Sequence, residues 1–134
     1  MDKFIDIKYK LVRQEKYEKI LTELGVNTFM RKFLPIWTSS STVELKRKSD
    51  DIYVLNTKRK FKTQSLEFKL NEEFEERMMN GEKVKSVIIF ENNTMIHTQQ
   101  SDPSLKITRN FFQDEMVTIM TYADVTCTNW YKAM

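Results

Sequence analysis

The residues best placed to do chemistry lie on two segments near the C-terminus. In Leu105-Lys106-Ile107-Thr108-Arg109-Asn110-Phe111, a period of two places Leu105, Ile107, Arg109 and Phe111 on one face and Lys106, Thr108 and Asn110 on the other. Arg109 therefore sits on an apolar face. An arginine there cannot neutralise itself by losing a proton, and an unpaired buried charge is costly, so it needs an anion or a hydrated cavity. From the pattern alone two other readings stay open: Arg109 snorkels at a strand end, or it is salt-linked to a glutamate. The second segment, Val125 to Lys132, aligns Val125, Cys127, Asn129 and Tyr131 on one face. In a dry core each of these polar groups would need its own partner, whereas in a water-containing interior they form a satisfied polar floor. Arg109 and Tyr131 together suit a carboxylate, the guanidinium supplying paired donors and the phenol a third.

Other candidates read more plainly. His97 alternates with Met95 and Gln99 and so faces inward, but a lone histidine without a second His or a Cys cluster does not make a metal site. Cys127 has no Cys-His-Asn grouping around it and reads as a small inward thiol. Glu72-Glu73 and Glu75-Glu76 flank Phe74 and read as a solvated hairpin. No catalytic residue, metal or cofactor is expected. The basic triplets Lys46-Arg47-Lys48 and Lys58-Arg59-Lys60 fall at predicted turns, with Lys16, Lys19, Arg31 and Lys32 nearby on helical segments. They form either solvated hairpin edges or a cationic collar that meets anionic membrane lipids.

These groups need elements to hold them. Phe4, Ile5, Ile7, Tyr9 and Leu11 alternate with charged residues and predict a first strand over Phe4 to Val12. From Lys16 the spacing changes: Tyr17, Ile20, Leu21 and Leu24 mark an amphipathic helix that Gly25 stops. Asn27 or Thr28 caps a second short helix through Phe29, Met30, Phe33 and Leu34. After Ser39 the chain reads as short strands: Thr42–Lys46, Ile52–Thr57, Lys60–Leu70, Phe74–Met78, Val84–Phe90, Met95–Gln99, Leu105–Phe112, Met116–Tyr122 and Val125–Lys132. Asn80-Gly81 predicts a two-residue type I′ turn and Asn92-Asn93 another tight connection. With the first strand this makes ten, spaced as in an antiparallel meander closed into a barrel.

Composition agrees with one packed domain, residues 1–134, of a mainly β class. The chain has 40% hydrophobic and 31% charged residues and a formal net charge of +3, which excludes charge-driven disorder and does not mark a nucleic-acid binder. A single cysteine permits no internal disulfide, and no N-terminal apolar core or membrane-length apolar run is present, so a reducing, cytoplasmic setting is expected. Two glycines and two prolines are few for a hairpin-rich protein. Asn and Asp, which tolerate left-handed backbone, must therefore carry many turns.

Tyr-Lys-Leu-Val (9–12), Leu-Gly-Val (24–26), Phe-Lys-Thr (61–63), Phe-Lys-Leu (68–70), Glu-Phe-Glu-Glu (73–76), Val-Lys-Ser (84–86) and Asp-Val-x-Cys-x-x-x-Tyr (124–131) together resemble the fatty-acid-binding proteins, of the intracellular lipid-binding family within the calycin superfamily. The resemblance spans essentially the whole chain in order. It implies a ten-stranded up-and-down barrel of two near-orthogonal sheets, with a helix-turn-helix lid between the first two strands. It also implies a non-enzymatic, monomeric carrier with one or two lipids in an internal, water-filled cavity. In such proteins the ligand carboxylate meets an Arg on the eighth strand and an Arg-x-Tyr pair on the tenth. Arg109 and Tyr131 match, but Asn129 stands where the second arginine would be, so either carboxylate capture mainly by Arg109 or a less acidic head group is expected.

By the same resemblance the cavity and portal include Tyr17, Ile20, Met30, Leu34, Thr57, Phe61, Met79, Ile107, Thr118 and Met120, joined by the inward His97, Gln99 and Cys127. The expected function is transport of a long-chain fatty acid between membranes and enzymes, with transient contact to an anionic membrane surface and no nucleic-acid partner. The alternative is a retinoid or other isoprenoid carrier that enters the nucleus and delivers ligand to a nuclear receptor.

Overall fold

The computed structural model describes residues 2–25, 41–59, 63–78 and 81–134. A 3-10 turn over Asp2–Phe4 leads into β1 (Lys8–Glu15) and α1 (Tyr17–Glu23). Nine strands follow among the described residues: β2 (Thr42–Arg47), β3 (Tyr53–Lys58), β4 (Thr63–Phe68), β5 (Phe74–Arg77), β6 (Lys83–Glu91), β7 (Thr94–Gln100), β8 (Leu105–Phe111), β9 (Glu115–Tyr122) and β10 (Val125–Ala133). They form one antiparallel sheet in the order β4-β3-β2-β1-β10-β9-β8-β7-β6-β5. Sequence neighbours pair throughout, and β1 pairs with β10 to carry the sheet around, so only the edges β4 and β5 lack a ladder between them among the described residues. The result is a nearly closed barrel. No described helix is long and apolar enough to cross a membrane. The second predicted helix, over 27–37, lies outside the described residues.

The first strand begins later than the alternation predicts. Asp6 adopts φ 65° and breaks the extended run, while Ile5 makes only an isolated bridge to Leu45. That break turns Phe4 back under the barrel, where its ring stacks on Phe111 at 5.6 Å between centroids. The helix follows its apolar spacing, with Tyr17, Ile20, Leu21 and Leu24 buried and Gly25 at φ 79° as its stop. Seven residues make a marginal helix in isolation, so burial of this face holds it.

Among the described residues, five other than glycine have left-handed backbone: Asp6, Lys16, Asn71, Asn92 and Ala123. Asn92 and Asn93 make the two-residue link between paired Glu91 and Thr94, and Asn93 Nδ2 donates to the Phe111 carbonyl at 3.0 Å. Here asparagine does what glycine does elsewhere and adds a cross-strand bond. Of the predicted Asn80-Gly81 turn, Asn80 lies outside the described residues; beside it the Met78 N–H donates to the Glu82 carbonyl at 2.9 Å and the Gly81 N–H to the Met78 carbonyl at 3.0 Å.

Inward side chains form two apolar clusters. One closes the end that holds the 3-10 turn and includes Phe4, Tyr9, Leu45, Tyr53, Phe68, Ile88, Met95, Phe111 and Met116. The other seats α1 on the opposite end and includes Ile20, Leu21, Leu24, Met78, Val84, Leu105, Met120, Val125 and Cys127. Between them most strands contribute an inward polar side chain: Thr57, Glu76, Ser86, His97, Arg109, Thr118 and Asn129. This polar belt is where the apolar alternation pauses.

Two expectations follow. Phe111 is fully buried against Phe4, Tyr9 and Phe90, so Phe111→Ala should cost about 3–5 kcal/mol in urea unfolding. Ala123 holds φ 53° without a side chain able to hydrogen-bond locally, so Ala123→Gly should gain about 0.5–1 kcal/mol in the same assay, strain relief outweighing the added freedom of the unfolded chain.

Candidate functional site

Arg109 lies on β8 between Ile107, which packs toward the helix end, and Phe111 in the opposite cluster. Its strand partners are Met95 on β7 and Thr118 on β9, and Thr118 is in turn opposite Asn129 on β10. Directly opposed residues share a face, so Arg109, Thr118 and Asn129 form an inward row. Arg109 is half-buried with its Nη1 fully covered, and the surface it retains faces a cavity. Burial pulls its pKa down, opposed by Tyr131 and Glu76, yet a guanidinium stays charged in any protein setting. Its Nη1 is buried without a hydrogen-bond partner and no described carboxylate is ion-paired to it. Both the snorkelling and the glutamate-linked readings of Arg109 are thereby set aside.

The cavity has a main space of about 350 Å³, within the range of small-molecule pockets, about 300–1,000 Å³. Leu55, Leu66, Met78, Leu105, Ile107 and Met120 supply apolar wall, and Thr57, Arg59, Glu76, His97, Gln99 and Arg109 supply polar groups. A second space of about 80 Å³ is lined by Leu11, Tyr17, Val43, Thr118, Asn129 and Tyr131, and shares Thr57, Arg59, Ile107, Arg109 and Met120 with the first. Burial raises the Tyr131 pKa, partly offset by Arg109, so its phenol remains a donor. Asn129 is buried, and its Oδ1 accepts from Cys127 Sγ at 3.6 Å.

Cys127 and Ile20 pack in the cluster that seats α1, and burial pushes the Cys127 thiol up to about 11, so it stays protonated. Met30, Leu34, Phe61 and Met79 lie outside the described residues.

Two site residues escaped the sequence reading. Glu76 belongs not to a solvated hairpin but to the cavity wall, where its Oε2 meets His97 Nε2 at 2.5 Å. Arg59 faces the cavity instead of standing in a surface turn. Alternation carried both signals, since Glu76 shares the face of Phe74 and Met78, and Arg59 extends the inward series Tyr53, Leu55, Thr57. The basic collar divides as well: Lys46 to Lys48 lie at the far end of β3 from Arg59, tied to Asp6, Asp2 and Glu67 by ion pairs.

The His97–Glu76 pair is titratable. Burial lowers the His97 pKa and the Arg109 charge adds to this, together outweighing Glu76. Burial alone would raise Glu76, but its bond to His97 brings it below the usual carboxylate value. At neutral pH the arrangement is a neutral imidazole donating Nε2–H to a carboxylate, with Nδ1 unpartnered. The unfolded chain binds a proton at His97 near pH 6.5 before the folded one does, so folding stability is full above that pH and declines as pH falls below it. His97 is the chain's one histidine, so NMR titration of its imidazole should give a midpoint below 6.5. His97→Gln should flatten the loss of melting temperature between pH 7 and 5.5.

Comparison with known proteins fits this geometry. Residues 8–133 match the model of the lipocalin / cytosolic fatty-acid binding protein family. Cellular retinoic acid-binding protein 2 of Rattus norvegicus is 35% identical over 129 residues, covering 92% of this chain and 93% of the relative. The muscle fatty acid-binding protein of Schistocerca gregaria is 34% identical over 131 residues, covering 97% and 96%. Among solved structures, a fatty acid-binding protein from brain tissue of Drosophila melanogaster superposes with a TM-score of 0.92 at 37% identity, over 97% of this chain and 99% of that one. A ten-stranded barrel around an arginine-bearing cavity and a family match over nearly the whole chain lead to one conclusion: this protein belongs to the lipocalin / cytosolic fatty-acid-binding protein family.

Proposed function

We propose that the protein is a non-enzymatic, cytoplasmic carrier that holds a long-chain fatty acid inside the barrel, its carboxylate on Arg109 with Tyr131 and Asn129 in support. The observation that supports this reading is Arg109, whose buried Nη1 has no partner among the described residues and borders a cavity with apolar wall. A carboxylate accepts the guanidinium's parallel N–H donors, and such charge-assisted, bidentate bonds are the strong ones. The tail drives binding, at about 0.8 kcal/mol per buried methylene, and the head-group bonds select. The fatty-acid-binding relatives support this cargo. The carrier acts as a monomer and exchanges lipid at membranes and enzymes.

The retinoic acid-binding relatives favour a second reading with the same head-group chemistry and a different tail: an isoprenoid carboxylate, delivered to a nuclear receptor. Mass spectrometry of lipid that co-purifies with the native protein distinguishes the two.

Arg109→Gln should weaken oleate by about tenfold or more, the worth of a bond to a charged group, and weaken oleyl alcohol by less than about threefold in calorimetric titration. Because the substitution removes an unpaired enclosed charge, the ligand-free melting temperature should hold or rise. Equal losses for acid and alcohol would refute carboxylate recognition at Arg109.

A further inference from the structure

Arg59 follows β3 directly, on the inward face that Tyr53, Leu55 and Thr57 share. Its Nη1 donates to Gln64 Oε1 at 3.0 Å, whereas its Nε is buried with no partner. Arg59 and Arg109 border both spaces of the cavity. Two guanidinium groups, each with an unpartnered buried N–H, thus face one enclosed volume.

Charge balance makes this arrangement informative. Glu76 is the one carboxylate among the described cavity-lining residues, and it is engaged by His97. Arg77, at the margin, is exposed and donates to the Gly81 carbonyl at 2.9 Å. The residues outside the described ones include no Asp or Glu. With His97 neutral, Arg59 and Arg109 against Glu76 leave the interior one positive charge in excess. Like charges facing one cavity repel, and an anion between them removes the repulsion.

We propose that Arg59 is a second anion-binding residue, closing with Arg109 on the head group of a single monoanionic lipid, so that the cavity selects a carboxylate over both neutral lipids and dianionic lipid phosphates. This rests on the carrier reading above and adds a residue, a charge and a stoichiometry to it. Tyr131 lines the smaller space together with both arginines. Arg59 also compensates for Asn129, which brings no charge to β10.

The test is calorimetric titration of oleate, oleyl alcohol and monododecyl phosphate into the wild type, Arg59→Gln, Arg59→Lys and Arg109→Gln. Arg59→Gln should weaken oleate about tenfold while changing oleyl alcohol less than twofold, as expected for loss of one charge-assisted bond. Arg59→Lys, which keeps the charge, should recover oleate to within about threefold of wild type. The wild type should bind one oleate per chain and prefer it to the phosphate. Equal loss of acid and alcohol in Arg59→Gln, or no loss of either, overturns the assignment of Arg59, and if Arg109→Gln still loses oleate selectively the carrier reading stands. Failure of the wild type to bind any of the three lipids overturns both.

Discussion

An arginine inside a barrel cannot shed its charge, and most of what is distinctive in this structure answers to that constraint. Arg109 is enclosed on β8, so its strand cannot pack as uninterrupted core. The neighbouring strands respond at the same level with Thr118, Asn129, His97, Ser86 and Glu76, none of which suits a dry interior on its own. Every buried polar side-chain atom left without a partner among the described residues belongs to Arg59, Ser86, His97, Gln99, Arg109 or Thr118, and all of these but Ser86 line the cavity. A set of unmet donors and acceptors in one place marks a space meant to be filled, since elsewhere such groups find partners.

The apolar clusters on either side make that belt useful. The aromatic cluster around Phe111 seals one end, and α1 with Leu105, Met120 and Val125 covers the other. Apolar walls on both sides lower the polarity around the belt, which strengthens each bond that a charged group within it can make. The same enclosure holds His97 neutral against a neighbouring carboxylate, because Arg109 and burial both oppose a second positive charge.

Much of this was legible before any coordinates. Period-two alternation placed Arg109, His97, Gln99 and Asn129 inward, and the switch to helical spacing at Tyr17 located α1. Turn chemistry explained how a chain with two glycines makes so many hairpins, since Asn71 and Asn92 take the left-handed positions. At two places composition masks the period. Arg59 sits in a Lys-Arg-Lys run and Glu76 beside another acid, and both runs read as solvent-facing turns although each residue continues an inward series. The start of β1 was misplaced for a different reason: Phe4 obeys the alternation, but Asp6 breaks the backbone to deliver it to Phe111.

By itself, the sequence determined the faces: which residues point inward, that an arginine is among them, and that the strands are short enough and numerous enough to close on themselves. Tertiary structure decided which inward residues meet. Alternation assigns a side chain to one of two faces but carries no information about the residue across the barrel, which depends on register, strand tilt and the joining of β1 to β10. That closure sets the end of β3 and the middle of β5 on the same cavity as β8, and so brings Arg59 and Glu76, distant in the chain, into one site with Arg109.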